Sequence, residues 1–147
     1  MLDKNKIGTE FTPYTFDVEK GRIKFFAQVI GEKNPIHFNE DAAKEAGHKT
    51  IVAPPTFPFV LDLEGPEFLP AIKLFNLDIG RVLHGSQEFE YSGHIYAGDT
   101  IQVASKVVDV FDKKGGALEF IVFQNIYTNQ NQEMVAKATN SLIYRNG

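Results

Sequence analysis

The second half of the chain holds four long segments built for strands. Arg81–Tyr91, Thr100–Phe111, Leu118–Thr128 and Met134–Tyr144 are rich in Val, Ile, Phe, Tyr and Thr, and turn signals at Gly98-Asp99, Lys114-Gly115-Gly116 and Asn129-Gln130-Asn131 separate them. Segments joined so tightly are expected to pair as antiparallel hairpins. Each of the last three runs for about 11 residues, on the order of 35 Å at strand rise, which exceeds the common strand length and requires curvature. In Leu118–Thr128 one face carries Leu118, Phe120, Val122 and Ile126 while the other carries Ile121, Phe123 and Tyr127, so both faces are expected to be covered. A curved sheet of this kind needs an apolar element to curl around.

That element lies upstream, in Lys49–Leu63, which reads KTIVAPPTFPFVLDL. Paired prolines are excluded from helix interiors but tolerated just before a helix, so one is expected from near Thr56 with Pro58 in its first turn. Its side chains Phe57, Phe59, Val60, Leu61 and Leu63 make it apolar on most sides, the mark of a buried helix. Gly65, Pro66 and Pro70 then read as a loop. Nearer the N-terminus, Phe11–Phe16 suits a short strand that Pro13 confines to an edge. Asp17 offers an N-cap for a helix of roughly 13 residues, carried by Val18, Ile23, Phe26, Ala27 and Ile30 and stopped by Gly31. Gly21 inside it is unfavourable by about 1 kcal/mol relative to Ala, which calls for close packing or a weak first turn. Asn39 caps a second helix, EDAAKEA, with acids at its positive end and Gly47 at its stop. Helices first and antiparallel strands after define an α+β class, with a long curved sheet wrapped around a central apolar helix.

Composition narrows the function classes. A chain of 147 residues is one domain of ordinary size, residues 1–147, and 43% hydrophobic with 23% charged residues is the make-up of a globular protein. The net charge is −4 and no Lys/Arg run is long enough to follow a phosphate backbone, so nucleic acid is not an expected partner. The absence of cysteine removes disulfides and thiolate nucleophiles and fits a cytoplasmic location. His37, His48, His84 and His94 lack metal-ligand spacing, and no metal is expected. The N-terminus MLDKNKIGTEF has no signal-peptide core, and the most apolar stretch is broken by Pro54, Pro55 and Pro58, so no membrane span is expected.

Between the first two helices stands Gly31–His37, GEKNPIH. A carboxylate, an amide and an imidazole fall within six residues, with Pro35 stiffening the backbone between the last two. Glu32, Asn34 and His37 can therefore converge on one small volume, or simply cap the turn they occupy. Helix, loop, helix forms an overhang around this polar cluster.

These residues carry a resemblance. FFAQVIGEKNPIHFNEDAAKEAG, IVAPPTFP, HGSQEFEY, AGDTI and a final strand ending in SLIYR are similar, in order and spacing, to the MaoC-like dehydratase group, and within it to the N-terminal, FAS1-like dehydratase domains. The resemblance covers nearly the whole chain. It implies a hot-dog fold, dimers in which two sheets join edge to edge, and chemistry on acyl thioesters of coenzyme A or acyl carrier protein, with no further cofactor. The implied reaction is the (R)-specific interconversion of trans-2-enoyl and (3R)-3-hydroxyacyl thioesters in fatty-acid metabolism. Water must lose a proton as it adds to the β-carbon, the α-carbon must gain one, and the thioester oxygen must bear developing charge. In the family pattern GDxNPIH, Glu32 stands at the aspartate, Asn34 at the asparagine and His37 at the histidine. The resemblance assigns Glu32 and His37 to hold water and move its proton, and Asn34 to orient it.

Two departures matter. Glutamate replaces aspartate at position 32, and one extra methylene can displace a catalytic oxygen enough to lose on the order of 10²-fold in rate. Where catalytic relatives place a His-Gly pair whose glycine N–H binds the thioester oxygen, this chain has Pro54-Pro55, and proline has no N–H. The donor is then expected from the Thr56 or Phe57 N–H, or is missing. His84, just before Gly85, could line the thioester site or pair within its strand. The APPTF form also resembles the acyl-binding partner domains of the group, so two expectations stand: a homodimeric hydratase, or the acyl-holding subunit of a heterodimer whose partner is catalytic. His48 and His94 are expected at the surface. Phe57, Phe59, Phe89 and Phe123 are expected in the core, with an acyl channel as the other use of them.

Overall fold

The computed structural model describes residues 1–67 and 69–146. Its strands are β1 (Tyr14–Asp17), β2 (Val82–Tyr91), β3 (Thr100–Lys113), β4 (Leu118–Thr128) and β5 (Met134–Arg145). They form one antiparallel sheet in the order β1-β3-β4-β5-β2. The β3–β4 and β4–β5 hairpins turn where the glycines and asparagines stand, and Gly115 and Gly116 take the positive φ that the first turn requires. Three register shifts interrupt the ladders, between His84 and Ser86, between Val107 and Asp109, and between Tyr127 and Thr128. Such bulges bend and twist a long strand. Gly85 sits in the first, where a Cβ would lie 2.6 Å from Ser141 Oγ and 2.8 Å from Ile143 Cγ1. Only glycine fits that crossing without moving the Ser141 and Ile143 side chains.

One face of the sheet is covered. Along β4, Glu119, Ile121, Phe123, Asn125 and Tyr127 are buried, while Leu118, Phe120, Val122 and Ile126 on the other face are half-buried. Full cover was expected on both faces, and a single chain supplies it on one. On the half-covered face Phe111 and Phe120 stack with centroids 4.7 Å apart, and the Lys113 ammonium lies 5.1 Å above the Phe120 ring.

The covered face carries the helices α3 (Pro58–Leu63) and α4 (Pro70–Leu74). Phe57 and Leu61, both fully buried, pack with Ile101, Val103, Tyr127 and Ala138. Each contributes about 1.5–3 kcal/mol of apolar burial. Ala71 and Leu77 continue the core over Val107, Val110, Ile121 and Leu142. The expected central helix is thus present, with Pro58 at its first position. Helix α4, by contrast, occupies a segment expected to be loop. Pro70 stands at its start, where a missing N–H is harmless and the fixed φ is helical.

The overhang comprises α1 (Lys20–Val29), a 3₁₀ turn at Pro35–His37, and α2 (Glu40–Glu45). Asp17 does not cap α1. It pairs with Thr100 in the sheet and its carboxylate accepts the Thr100 hydroxyl at 2.8 Å, so strand pairing overrides the local capping preference. The helix begins after Glu19, which makes no side-chain cap. Gly21 falls in its first turn, with open space around it. Gly31 ends the helix at φ +74°, and Asn39 caps α2 by accepting the Ala42 N–H at 3.0 Å, both as expected.

Candidate functional site

The GEKNPIH loop is built from its own side chains first. The Glu32 Oε1 atom accepts the N–H groups of Lys33 (2.8 Å) and Asn34 (3.0 Å), and Asn34 Oδ1 accepts Ile36 N–H at 3.2 Å, capping the 3₁₀ turn. Those bonds leave Glu32 with Oε2 and Asn34 with its NH₂ group for other partners. The backbone bonds from Asn34 and then Lys33 are also the main reason the Glu32 carboxyl lies below its usual range, with a smaller pull from His37.

His37 sits at the back of this loop, 5% exposed. Its Nδ1 lies 2.7 Å from the Val52 carbonyl oxygen. A carbonyl can only accept, so Nδ1 carries the proton, and in the neutral ring Nε2 is the bare acceptor. Nε2 faces Glu32 Oε2 at 4.0 Å, too far for a direct hydrogen bond and close enough for one small polar molecule beside the pair to bond both. Glu32 thus caps the loop with one carboxylate oxygen and meets His37 with the other, while Asn34 caps the 3₁₀ turn.

The segment behind His37 is clamped from both sides. Val52 N–H donates to Ile36 at 3.3 Å, Ala53 N–H to Ile95 at 2.8 Å, and Ala97 N–H to Ile51 at 3.0 Å. Asp99, buried at 2% exposure in the Gly-Asp turn, braces this clamp by accepting Tyr96 N–H (2.8 Å), Lys49 Nζ (2.9 Å) and Gln130 Nε2 (3.0 Å). The Gly98-Asp99 signal marked the turn; its bracing role was not legible from sequence. Beside it, His48 is half-buried, bonds the Tyr96 hydroxyl at 3.2 Å and meets His94 edge-on with centroids 5.0 Å apart. Burial first, and the two other imidazoles second, lower the His48 pKa.

The remaining expected residues stand elsewhere. Phe57 N–H is committed to the Pro54 carbonyl at 2.9 Å and its ring to the core against Phe26, which leaves the exposed Thr56, or no residue, as the expected oxyanion donor. His84 lies on β2, with Nε2 3.2 Å from Gln87 Oε1 and its ring 5.6 Å from Phe59. Among the described residues, no group of three or more His, Asp or Glu side chains is arranged to hold a metal ion, and no helix is long and apolar enough to cross a membrane.

Sequence reasoning passed over Asp62 altogether. It lies on α3 among apolar neighbours, its Oδ1 accepts the Tyr127 hydroxyl at 2.6 Å, and burial pushes its carboxyl up to about 6. The hydrogen bond from Tyr127 and the nearby Asn125 amide offset only part of that rise. A lone acid inside PFVLDL was the available signal.

A long antiparallel sheet with a helix against one face and a two-helix overhang holding GEKNPIH defines the hot-dog fold of the MaoC-like dehydratases. The FAS1-like, dehydratase domain region matches residues 5–138, and the chain belongs to that family. It is 35% identical to a UPF0336 protein of Parafrankia sp. over 146 residues, 98% of this chain and 95% of that one. In structure it is similar to the C-terminally truncated HadBC (3R-hydroxyacyl-ACP dehydratase) complex of Mycobacterium tuberculosis, with TM-score 0.79 and 25% identity over 93% of this chain and 96% of that one. The MaoC-like dehydratase of Rhodospirillum rubrum shares the fold at TM-score 0.74 and 21% identity, covering 96% and 94% of the two chains.

Proposed function

We propose that the chain catalyses the (R)-specific addition of water to trans-2-enoyl thioesters, and the reverse dehydration of (3R)-3-hydroxyacyl thioesters. The observation that carries this reading is the 4.0 Å gap between His37 Nε2 and Glu32 Oε2, with Nδ1 fixed on Val52. A water beside the pair donates one hydrogen to each acceptor. As its oxygen bonds to C3, the proton on the imidazole side passes to Nε2, the double-bond electrons move onto C2 and the thioester oxygen, and the same proton returns from Nε2 to C2. The second hydrogen stays on the new hydroxyl, held by Glu32. Asn34 has only its NH₂ group left to offer, a donor to the water oxygen. Thr56 N–H is the donor assigned to the thioester oxygen. Coenzyme A or acyl carrier protein enters as part of the substrate, and the chemistry needs no other cofactor.

A second reading has its own observation. Pro54 and Pro55 have no N–H and that of Phe57 is occupied, so oxyanion support is thin. The chain would then hold the acyl group for a catalytic hot-dog partner docked along edge strand β2, an arrangement in keeping with the two-component HadBC complex. Incubating the purified chain with crotonyl-CoA and a longer trans-2-enoyl-CoA separates the two. Accumulation of the (3R)-hydroxy product by the chain alone supports the enzyme. Acyl-CoA binding without turnover, with activity appearing only when a catalytic subunit is added, supports the holding role and overturns the first.

A further inference from the structure

Thr56 carries the free N–H of its turn. The bond from Phe57 N–H to the Pro54 carbonyl closes a turn over Pro54–Phe57, in which Pro55 has no N–H and that of Thr56 takes no partner among the described residues. Thr56 is itself exposed, so the N–H is open to a ligand. It shares a peptide unit with the Pro55 carbonyl. Such a unit is planar, with N–H and C=O pointing in opposite directions, so whatever holds the oxygen also aims the N–H. The pyrrolidine ring of Pro55 already locks φ, and ψ is the torsion left to swing the unit.

Tyr91 holds that torsion from across the chain. At the end of edge strand β2, its hydroxyl donates to the Pro55 carbonyl oxygen at 2.6 Å. Burial pushes the Tyr91 pKa up, so the hydroxyl is a neutral donor at pH 7. Core packing does not call for a tyrosine here: the residue is 51% exposed, and its ring meets only the edge of the core, stacked on Phe89 with centroids 6.1 Å apart. A carbonyl that accepts a hydrogen bond also draws electron density from its own peptide nitrogen, and bonds chained in this way strengthen one another by about 10–30% each. The Tyr91 hydroxyl therefore aims the Thr56 N–H and makes it a stronger donor.

We propose that Tyr91 is a positioning residue for the thioester carbonyl, orienting and polarising the Thr56 N–H through the Pro55–Thr56 peptide, a role that rests on the assignment of that N–H to the thioester oxygen. The paired prolines then have a compensation: they remove N–H groups, but with Tyr91 they fix the direction of the one that follows.

The probe is a butyryl thioester labelled with carbon-13 at C1, offered on coenzyme A and on acyl carrier protein. It is saturated and cannot be hydrated, so its bound carbonyl stretch can be read by isotope-edited infrared spectroscopy at pH 7. Tyr91→Phe keeps the ring and removes the hydroxyl, and the stretch is expected to rise relative to wild type. 3-Fluorotyrosine in place of Tyr91 is a stronger hydroxyl donor and is expected to lower it. In enoyl-thioester hydration, kcat of Tyr91→Phe is expected to fall about 10-fold with KM unchanged, short of the roughly 10²–10³-fold that follows removal of an oxyanion donor outright. A tether that serves only the fold would move the thermal midpoint and leave the stretch alone. An unchanged stretch, a shift in the same direction with both replacements, or no binding of either thioester would overturn the proposal. The fluorinated protein keeps the hydroxyl, so the comparison stands whether or not Tyr91→Phe folds. A wild-type chain that shows the Tyr91-dependent stretch and hydrates no enoyl thioester would refute the hydratase reading and leave the role of Tyr91 standing.

Discussion

The imidazole of His37 and the carboxylate of Glu32 face each other across 4.0 Å, one pinned by the Val52 carbonyl and the other by two backbone N–H groups of its own loop. Each group is thus held by one atom and left open at another. Such preorganisation is what the proposed acid–base role of the two groups requires.

Replacing Glu32 by Gln keeps an oxygen for the Lys33 and Asn34 N–H groups and removes the charge on the working side. Turnover is expected to fall on the order of 10²-fold or more while the thermal midpoint stays put. Parallel kinetics and melting curves check this, and a large loss of stability would mean that the carboxylate serves the fold.

Asp62 makes stability depend on pH in a defined direction. Its folded-state pKa of about 6 exceeds the ordinary 3.8, so between those values the folded chain holds a proton that the unfolded chain has lost. Stability contributed by this group therefore declines as pH rises from about 4 to about 6, then levels off, for a total of roughly 3 kcal/mol. Urea unfolding of wild type and Asp62→Asn across pH 4.5 to 7.5 should show the difference between them shifting toward the variant with rising pH. Parallel curves would contradict it.

Tyr127→Phe removes the donor on Asp62 Oδ1 and leaves both carboxylate oxygens without a hydroxyl. A loss of about 1–3 kcal/mol is expected near neutral pH, shrinking below pH 5 where Asp62 is protonated. Denaturant midpoints at the two pH values read it directly.

Gly85→Ala forces a methyl into Ser141 and Ile143. Overpacking there is expected to cost about 1–3 kcal/mol and to loosen β2 from β5, seen as faster amide exchange along Val82–Tyr91. Unchanged exchange would show that the bulge tolerates a side chain.

Much of this architecture was legible because the signals are local. The β4 boundaries coincide with Leu118–Thr128, since apolar and β-branched residues fill the interval between two turns rich in Gly and Asn. GEKNPIH was legible as a polar cluster because Pro35 and Asn34 specify the turn within the loop itself. What escaped depends on distant partners. Asp17 looks like a cap until Thr100 claims it across the sheet. Pro70 reads as a breaker until the helix that starts on it packs Ala71 against the core. Asp62 has no periodic signature, and its role exists only because Tyr14 and Tyr127 arrive from opposite ends of the chain to enclose it.

The most direct test of the central claim is a double-mutant cycle on kcat/KM for enoyl-thioester hydration with Glu32→Gln, His37→Ala and the pair. If both groups act on one water, the losses are strongly non-additive and the double variant is about as slow as the slower single variant. Additive losses, or a single variant with wild-type turnover, would contradict a shared water between Glu32 and His37.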